Sequence, residues 1–404
     1  MQQHRASDRS WLGWQPTLGG VVGLGFLSAC SAKTPARSAD SSPDPTTDTG
    51  SPDVSAPDEP GPWVVGHTST ALEDVIEPGR TLPIDIWYPA EPGSEAGATP
   101  AAYPLLGSIA LPSTQAYDGL PVADLDAPLL IFSHGYGGIR IQSTALMEAL
   151  ASHGFVVASA GHTGNTQSAP EDSFDTAASR RVPDVQAVID WFTSGAAPAA
   201  DQVDLSRLGV LGHSFGGMTT LGVGAGWAGA PPIDGVGALM PISAVVDDDL
   251  QADDRSSSYA GFTAEQLATI TQPVLLLGGT EDESVPVENN ALAYDWLTGA
   301  AAVTRVDIIG ANHTHFANVC DIGDLLISLG FEMDSWASLG AGPLIDPYVR
   351  TCTGEAFPYA EALRLQNLYA VAFFQLTLGE RPEYGWWLTT EAAAEESAVA
   401  LWSR

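Results

Sequence analysis

Gly212-His213-Ser214-Phe215-Gly216 sets a serine between two glycines, each two residues away, after the apolar run Leu208-Gly209-Val210-Leu211 and before Met218-Thr219-Thr220-Leu221. The first run reads as a buried strand and the second can open a helix. A strand that turns directly into a helix around a serine is a nucleophile elbow. Its turn is too sharp for side chains at the flanks, and it holds the serine out from the sheet in a strained backbone conformation. A serine hydroxyl is a weak nucleophile at neutral pH. It needs a base to take its proton, and the base needs a carboxylate to fix its tautomer.

In the chain order that goes with such an elbow, the carboxylate and then the histidine follow the serine, each on a turn at the end of a later strand. After Val274 to Leu277 comes Gly278-Gly279-Thr280-Glu281-Asp282-Glu283-Ser284, which offers Asp282 as the acid, with Glu281 and Glu283 as solvated neighbours. After Val303 to Ile309 comes Gly310-Ala311-Asn312-His313-Thr314-His315, which offers His313 as the base and His315 as its rival. Acyl transfer also develops a negative oxygen that two backbone N–H groups must hold. One belongs to Phe215, the residue after the serine. The other belongs to the turn Ser133-His134-Gly135-Tyr136-Gly137-Gly138, with Tyr136 as the donor.

These turns need strands to carry them. Pro128 to Phe132 and Phe155 to Ala158 read as continuous apolar strands, and Ile141 to Ser152, Arg180 to Phe192, Asn290 to Leu297 and Ala360 to Leu376 have helical spacing. Buried strands alternating with helices predict an α/β fold: a mostly parallel sheet covered by helices on both faces. Trp63 to Val65 and Leu82 to Tyr88 predict an antiparallel hairpin at its N-terminal side, and the Pro/Ala/Gly-rich stretch up to Ala127 reads as loop. Residues 245–270 are a possible lid insertion. Arg181 and Asp184, three apart on one helix face, are expected to form an ion pair. His162 and His213 read as packing groups, and Trp386-Trp387 as a packed pair or a groove lining.

The chain has 404 residues, of which 49 are acidic and 15 basic, for a net charge of -34. Such a surface repels nucleic acid and anionic headgroups, so neither is expected as a partner. No His/Cys/Asp cluster has ligand spacing, so neither a metal nor a cofactor is expected. Of the three cysteines, Cys30 falls in the N-terminal leader, and Cys320 and Cys352 are expected to pair as a disulfide in an oxidising compartment.

The leader has Arg5 and Arg9, then an apolar core from Leu18 to Leu27, too short to span a bilayer. It ends in Leu27-Ser28-Ala29-Cys30, which resembles the lipobox of bacterial lipoproteins. Residues 1–29 are therefore read as a signal peptide and Cys30 as a lipidated residue. Residues 30–62, rich in Ser, Thr, Pro and Asp, are read as a disordered tether, and 63–404 as the catalytic domain. The expected location is extracytoplasmic, lipid-anchored to a bacterial outer membrane or cell surface, and the expected state is a monomer.

Pro128-Leu129-Leu130-Ile131-Phe132-Ser133-His134-Gly135, Leu150-Ala151-Ser152-His153-Gly154-Phe155-Val156-Val157-Ala158 and Gly212-His213-Ser214-Phe215-Gly216-Gly217 resemble the platelet-activating factor acetylhydrolase branch of the α/β-hydrolases. Bacterial members of that branch are called dienelactone-hydrolase-like, and cutinase-type polyester hydrolases are more distant kin. The resemblance covers residues 63 to 380. His313-Thr314-His315-Phe316-Ala317-Asn318 is similar to the family's segment around its catalytic histidine, which favours His313 over His315. The acetylhydrolase holds its acid after the strand that follows the elbow helix, where this chain reads Ala238-Leu239-Met240-Pro241-Ile242-Ser243, with no carboxylate. Asp282 stands where most α/β-hydrolases hold theirs. A dienelactone hydrolase uses a cysteine nucleophile, and this chain has serine. The resemblance implies an α/β-hydrolase fold and a cofactor-free serine hydrolase of carboxylic esters: short-chain acyl esters, phospholipid acetyl groups or polyesters. A peptidase or amidase with the same triad, or a non-catalytic binding module on the same scaffold, are the alternatives.

Overall fold

The computed structural model describes residues 55–250, 257 and 259–404. The signal peptide, Cys30 and most of the expected tether lie outside the described residues. Among the described residues, eleven strands form one sheet: β1 (Val64–Leu72), β2 (Leu82–Ala90), β3 (Pro100–Leu106), β4 (Ile109–Asp118), β5 (Ala127–Ser133), β6 (Val156–Ala160), β7 (Val203–His213), β8 (Val236–Ile242), β9 (Val274–Gly279), β10 (Val303–Ile308) and β11 (Val399–Ser403). Their order is β11-β10-β9-β8-β7-β5-β6-β2-β1-β4-β3. The run from β10 to β6 is parallel throughout. The expected hairpin β1–β2 joins it antiparallel at β6, and β11 closes the other side antiparallel to β10.

Both faces of the parallel part are covered, so β5, β6, β8 and β9 are buried at nearly every position rather than at alternate ones. β5 is buried along its whole length. Leu129 and Ile131 face the core formed with helices α2 (Phe174–Thr193) and α3 (Phe215–Ala225). Leu130 and Phe132 face the core formed with α1 (Thr144–Ser152) and the long helix Tyr359–Thr377.

Three places differ from the sequence reading. The Pro/Ala/Gly stretch before Ala127 is not loop: it forms the edge ribbon β3–β4, with register shifts beside Pro100 and Pro104. Proline lacks the ladder N–H and survives only at edges and bulges, so the residues that argued against a strand mark an edge one. Residues 55–62 are docked on the domain. Asp58 pairs with Arg364 at 2.7 Å, the Ser55 carbonyl accepts from the Tyr384 hydroxyl, and the Gly61 amide donates to Ser152 Oγ. Packing among the described residues thus reaches into the stretch read as tether. Finally, Val246, Phe262, Leu267 and Ile270 are buried, and Phe262 stacks on Trp227 behind α3. The described part of 245–270 buttresses that helix.

Candidate active site

Four turns converge at the carboxyl ends of neighbouring parallel strands: 134–138 after β5, the elbow after β7, 280–286 after β9 and 310–316 after β10. At the elbow Ser214 has φ 59° and ψ -118°. Its amide is held by the Ile242 carbonyl at 2.8 Å, which ties the turn to the neighbouring strand. The flanking glycines are required by space: a Cβ on Gly212 would lie 2.4 Å from the Gly216 carbonyl oxygen, and one on Gly216 only 1.8 Å from that of Ser133.

His313 Nδ1 lies 2.7 Å from Asp282 Oδ2. The other oxygen, Oδ1, accepts from the amides of Ser284 and Val285 at 2.9 and 2.7 Å. Burial opposes ionisation of Asp282, but the His313 imidazole and the Val285 amide outweigh it and hold the carboxyl below its ordinary range. An ionised Asp282 accepts only, so Nδ1 carries the proton, and in the neutral imidazole Nε2 is the nitrogen with the free lone pair. Ser214 and His313 line the same cavity, of about 300 Å³. The rivals are placed elsewhere. His315 is buried, bonded through Nδ1 to Asn312 and through Nε2 to the Phe357 carbonyl, and Glu283 pairs with Arg350 on the surface.

The remaining cavity wall is largely apolar: Tyr136, Ile139, Ala317, Val319, Ile322, Leu344 and Pro347. Tyr136 is half exposed and meets the Phe215 ring edge-on at 5.3 Å. Among the described residues, neither the Tyr136 nor the Phe215 amide has an acceptor. Val319 and Ile322, on helix Val319–Ser328, and Leu344 and Pro347, on and beside helix Ile345–Cys352, belong to an excursion between β10 and the helix Tyr359–Thr377. The Cys320–Cys352 disulfide staples these two helices, with its Cα atoms 5.5 Å apart. A second, wider groove of about 840 Å³ shares His313, Thr314 and Pro347 with the cavity and runs out past Glu281, Glu283, Arg350 and Phe357. Neither opening is lined by described residues of 245–270 or by the Trp386-Trp387 pair; Trp387 packs on Tyr384.

Sequence reasoning missed two polar chains that hold these turns. Gln142 accepts from the Gly135 amide at 3.0 Å and donates to His213 Nδ1 at 2.7 Å, and His213 Nε2 donates to the His313 carbonyl at 2.9 Å. This links the turn after β5, the elbow and the turn carrying His313. Burial, with the nearby His313, pushes His213 down to about 3, so it works as a neutral relay. The second chain corrects the expected Arg181–Asp184 pair. Asp184 instead accepts two bonds from Arg80, at 2.6 and 2.9 Å, and one from His162 Nδ1 at 2.9 Å. Arg181 turns to the other side, under the turn after β5. Sequence spacing identified a feasible pair, but Arg80, 104 residues away, was brought closer by the fold. Among the described residues no His/Cys/Asp/Glu group has the arrangement of a metal site.

Comparison with known proteins adds three findings. Residues 101–187 match the family model of platelet-activating factor acetylhydrolase, isoform II. Cutinase 2 of Thermobifida cellulosilytica is 27% identical over 187 residues, 46% of this chain and 59% of the cutinase. Cutinase est2 of Thermobifida alba is 37% identical over 93 residues, 23% of this chain and 28% of that one. The chain therefore spans about three fifths or less of the length of these curated relatives. A solved ferulic acid esterase from Streptomyces cinnamoneus superposes with a TM-score of 0.56 at 26% identity, covering 81% of this chain and 93% of the esterase.

Proposed function

We propose that this chain, a member of the α/β-hydrolase superfamily on its platelet-activating factor acetylhydrolase-like branch, hydrolyses carboxylic esters through an acyl-enzyme on Ser214. The observation that carries this reading is the His313–Asp282 hydrogen bond at the rim of the cavity that holds Ser214. His313 Nε2 takes the hydroxyl proton as Ser214 Oγ attacks the ester carbonyl, and Asp282 stabilises the imidazolium that forms. The amides of Tyr136 and Phe215 receive the developing oxyanion. Collapse of the tetrahedral intermediate passes the proton to the leaving alcohol. Water then repeats the sequence on the acyl-enzyme, releasing the acid and restoring Ser214.

The apolar lining and the size of the cavity favour a compact acyl or aryl group, and the names of the relatives, cutinases and a ferulic acid esterase, support esters as the substrate class. The lipobox-like Leu27-Ser28-Ala29-Cys30 supports a lipid anchor that holds this domain outside the cytoplasm. A fluorophosphonate probe should label the wild-type chain and leave Ser214→Ala unlabelled, with hydrolysis of p-nitrophenyl butyrate lost in the same variant. Equal labelling of both would remove Ser214 from the reaction.

A further inference from the structure

Arg181, on α2, is a cation with no exposure to solvent and no carboxylate bonded to it. Its guanidinium donates to four neutral oxygens: Nη1 to the His134 carbonyl at 2.5 Å and to Ser133 Oγ at 3.1 Å, Nη2 to the Gly135 carbonyl at 3.1 Å and to Asn165 Oδ1 at 2.6 Å. It also lies over the Phe215 ring, 4.7 Å from the centroid. Asp184 attracts the guanidinium only through space, with no hydrogen bond between them. Burying a charge without a bonded ionised partner is costly, so a purely structural site would favour an apolar side chain or a direct ion pair. What the guanidinium grips is the backbone on either side of Gly135.

That grip determines where one amide points. A trans peptide is planar, so the carbonyl of residue 135 and the N–H of residue 136 point in opposite directions. The Gly135 carbonyl is drawn inward by three donors: Arg181 Nη2, the Gly138 amide at 3.1 Å and His134 Nδ1 at 2.8 Å. His134 is itself fixed as the Nδ1–H tautomer, because its Nε2 accepts from the His162 amide at 3.1 Å. With the carbonyl held inward, the Tyr136 N–H is turned outward. The loop lies against the nucleophile there: a Cβ on Gly135 would be 3.5 Å from Ser214 Cβ. If the peptide flipped, three inward bonds would be lost and a carbonyl oxygen would face the position where negative charge develops.

We infer that Arg181 is a positioning residue for the proposed esterase reaction: its buried guanidinium locks the Gly135–Tyr136 peptide with the N–H toward Ser214, preforming the oxyanion site. The inference rests on the reading of Ser214 as the nucleophile. Its cation also polarises the peptide it holds, with the positive end toward the substrate.

The test uses the full chain. Arg181→Lys keeps the charge but cannot grip four oxygens in a planar fork. It should lower kcat for p-nitrophenyl butyrate about 10- to 100-fold, with KM within about twofold of wild type. It should also weaken inhibition by butylboronic acid, which forms a tetrahedral anion on the serine, by a similar factor. Tyr136→Pro removes the N–H itself, and combining the two substitutions should cost little more than Tyr136→Pro alone, since both act through one donor. Should Arg181→Lys fail to fold, Asn165→Asp draws the guanidinium away from the loop carbonyls and should reproduce the lower kcat and weaker boronate binding. Folded Arg181→Lys, or Asn165→Asp, with wild-type kcat and boronate affinity would overturn the inference, as would full additivity with Tyr136→Pro. Absence of any ester hydrolysis or fluorophosphonate labelling in the wild-type chain would instead overturn the esterase reading on which it stands.

Discussion

Asp282 and His313 make different contributions, and kinetics should separate them. His313 moves the proton, whereas Asp282 orients and stabilises it, so His313→Ala should lower kcat by about 10⁶ and Asp282→Asn by about 10⁴. Steady-state rates on p-nitrophenyl butyrate, with folding verified by circular dichroism, check the order; a larger loss from Asp282→Asn would contradict it. All three triad candidates could be read from the sequence because each stands at the end of an apolar run, where one side chain per turn can reach the site. Gln142, Asn165 and Arg181 could not. Each acts by bonding atoms distant in sequence, such as His213 Nδ1 or the His134 carbonyl, and nothing in local spacing reveals such a partner.

At the scale of elements, the elbow and the disulfide-stapled excursion are the two sensitive joints. A methyl group at residue 216 would sit 1.8 Å from the Ser133 carbonyl oxygen, and backbone on both sides leaves no room to yield. Gly216→Ala should therefore destabilise by more than about 4 kcal/mol, in the range of the severest single substitutions, measured by urea unfolding; a loss below about 1 kcal/mol would mean that β5 and α3 can separate. Replacing Cys320 and Cys352 together by serine should lower stability by about 3 to 4 kcal/mol through the freed chain between them. Because the same two helices carry Val319, Ile322 and Pro347, the KM for an apolar ester should rise in the same variant; unchanged KM with lowered stability would detach the staple from substrate binding. The central strands were legible as unbroken apolar runs. β3, β4 and β11 were not, since prolines in an edge ribbon and a short C-terminal segment lose the pattern that burial on both faces imposes.

For the whole molecule, acid sensitivity follows from its buried imidazoles. Burial and the Arg181 charge hold His134 well below its ordinary 6.5 and bring His162 to about 4 despite Asp184, while burial and His313 bring His213 to about 3. Between pH 6.5 and those values the unfolded chain binds more protons than the folded one. Their contribution is complete above 6.5 and declines as pH falls, by up to about 1.4 kcal/mol per pH unit for each histidine. His67 has the opposite sign. Burial works against its charge, but hydrogen bonds to Asp85 and Asp118 raise it above 6.5, so its contribution is present in acid and fades as pH rises through the folded value. Asp184 and Asp282 are held low and matter only below their ordinary 3.8. Burial lowers His153 and His315 as well, so five imidazoles stand against His67 and the raised carboxyls of Glu148, Asp307 and Asp321. The urea midpoint should therefore fall between pH 7 and pH 5; an equal or higher midpoint at pH 5 would show that the buried imidazoles accept protons without net cost.

The short lead-in from Ser55 to Pro62 also has a practical consequence for anyone trimming the chain. A shortened version starting at Trp63, where the apolar pattern begins, would deprive Arg364 of Asp58, the Tyr384 hydroxyl of its acceptor and His153 of the Glu59 carbonyl. Those three anchors lie on the C-terminal helices and beside α1, so the cut would loosen a seam far from it in sequence. A trimmed version should therefore begin upstream of Ser55.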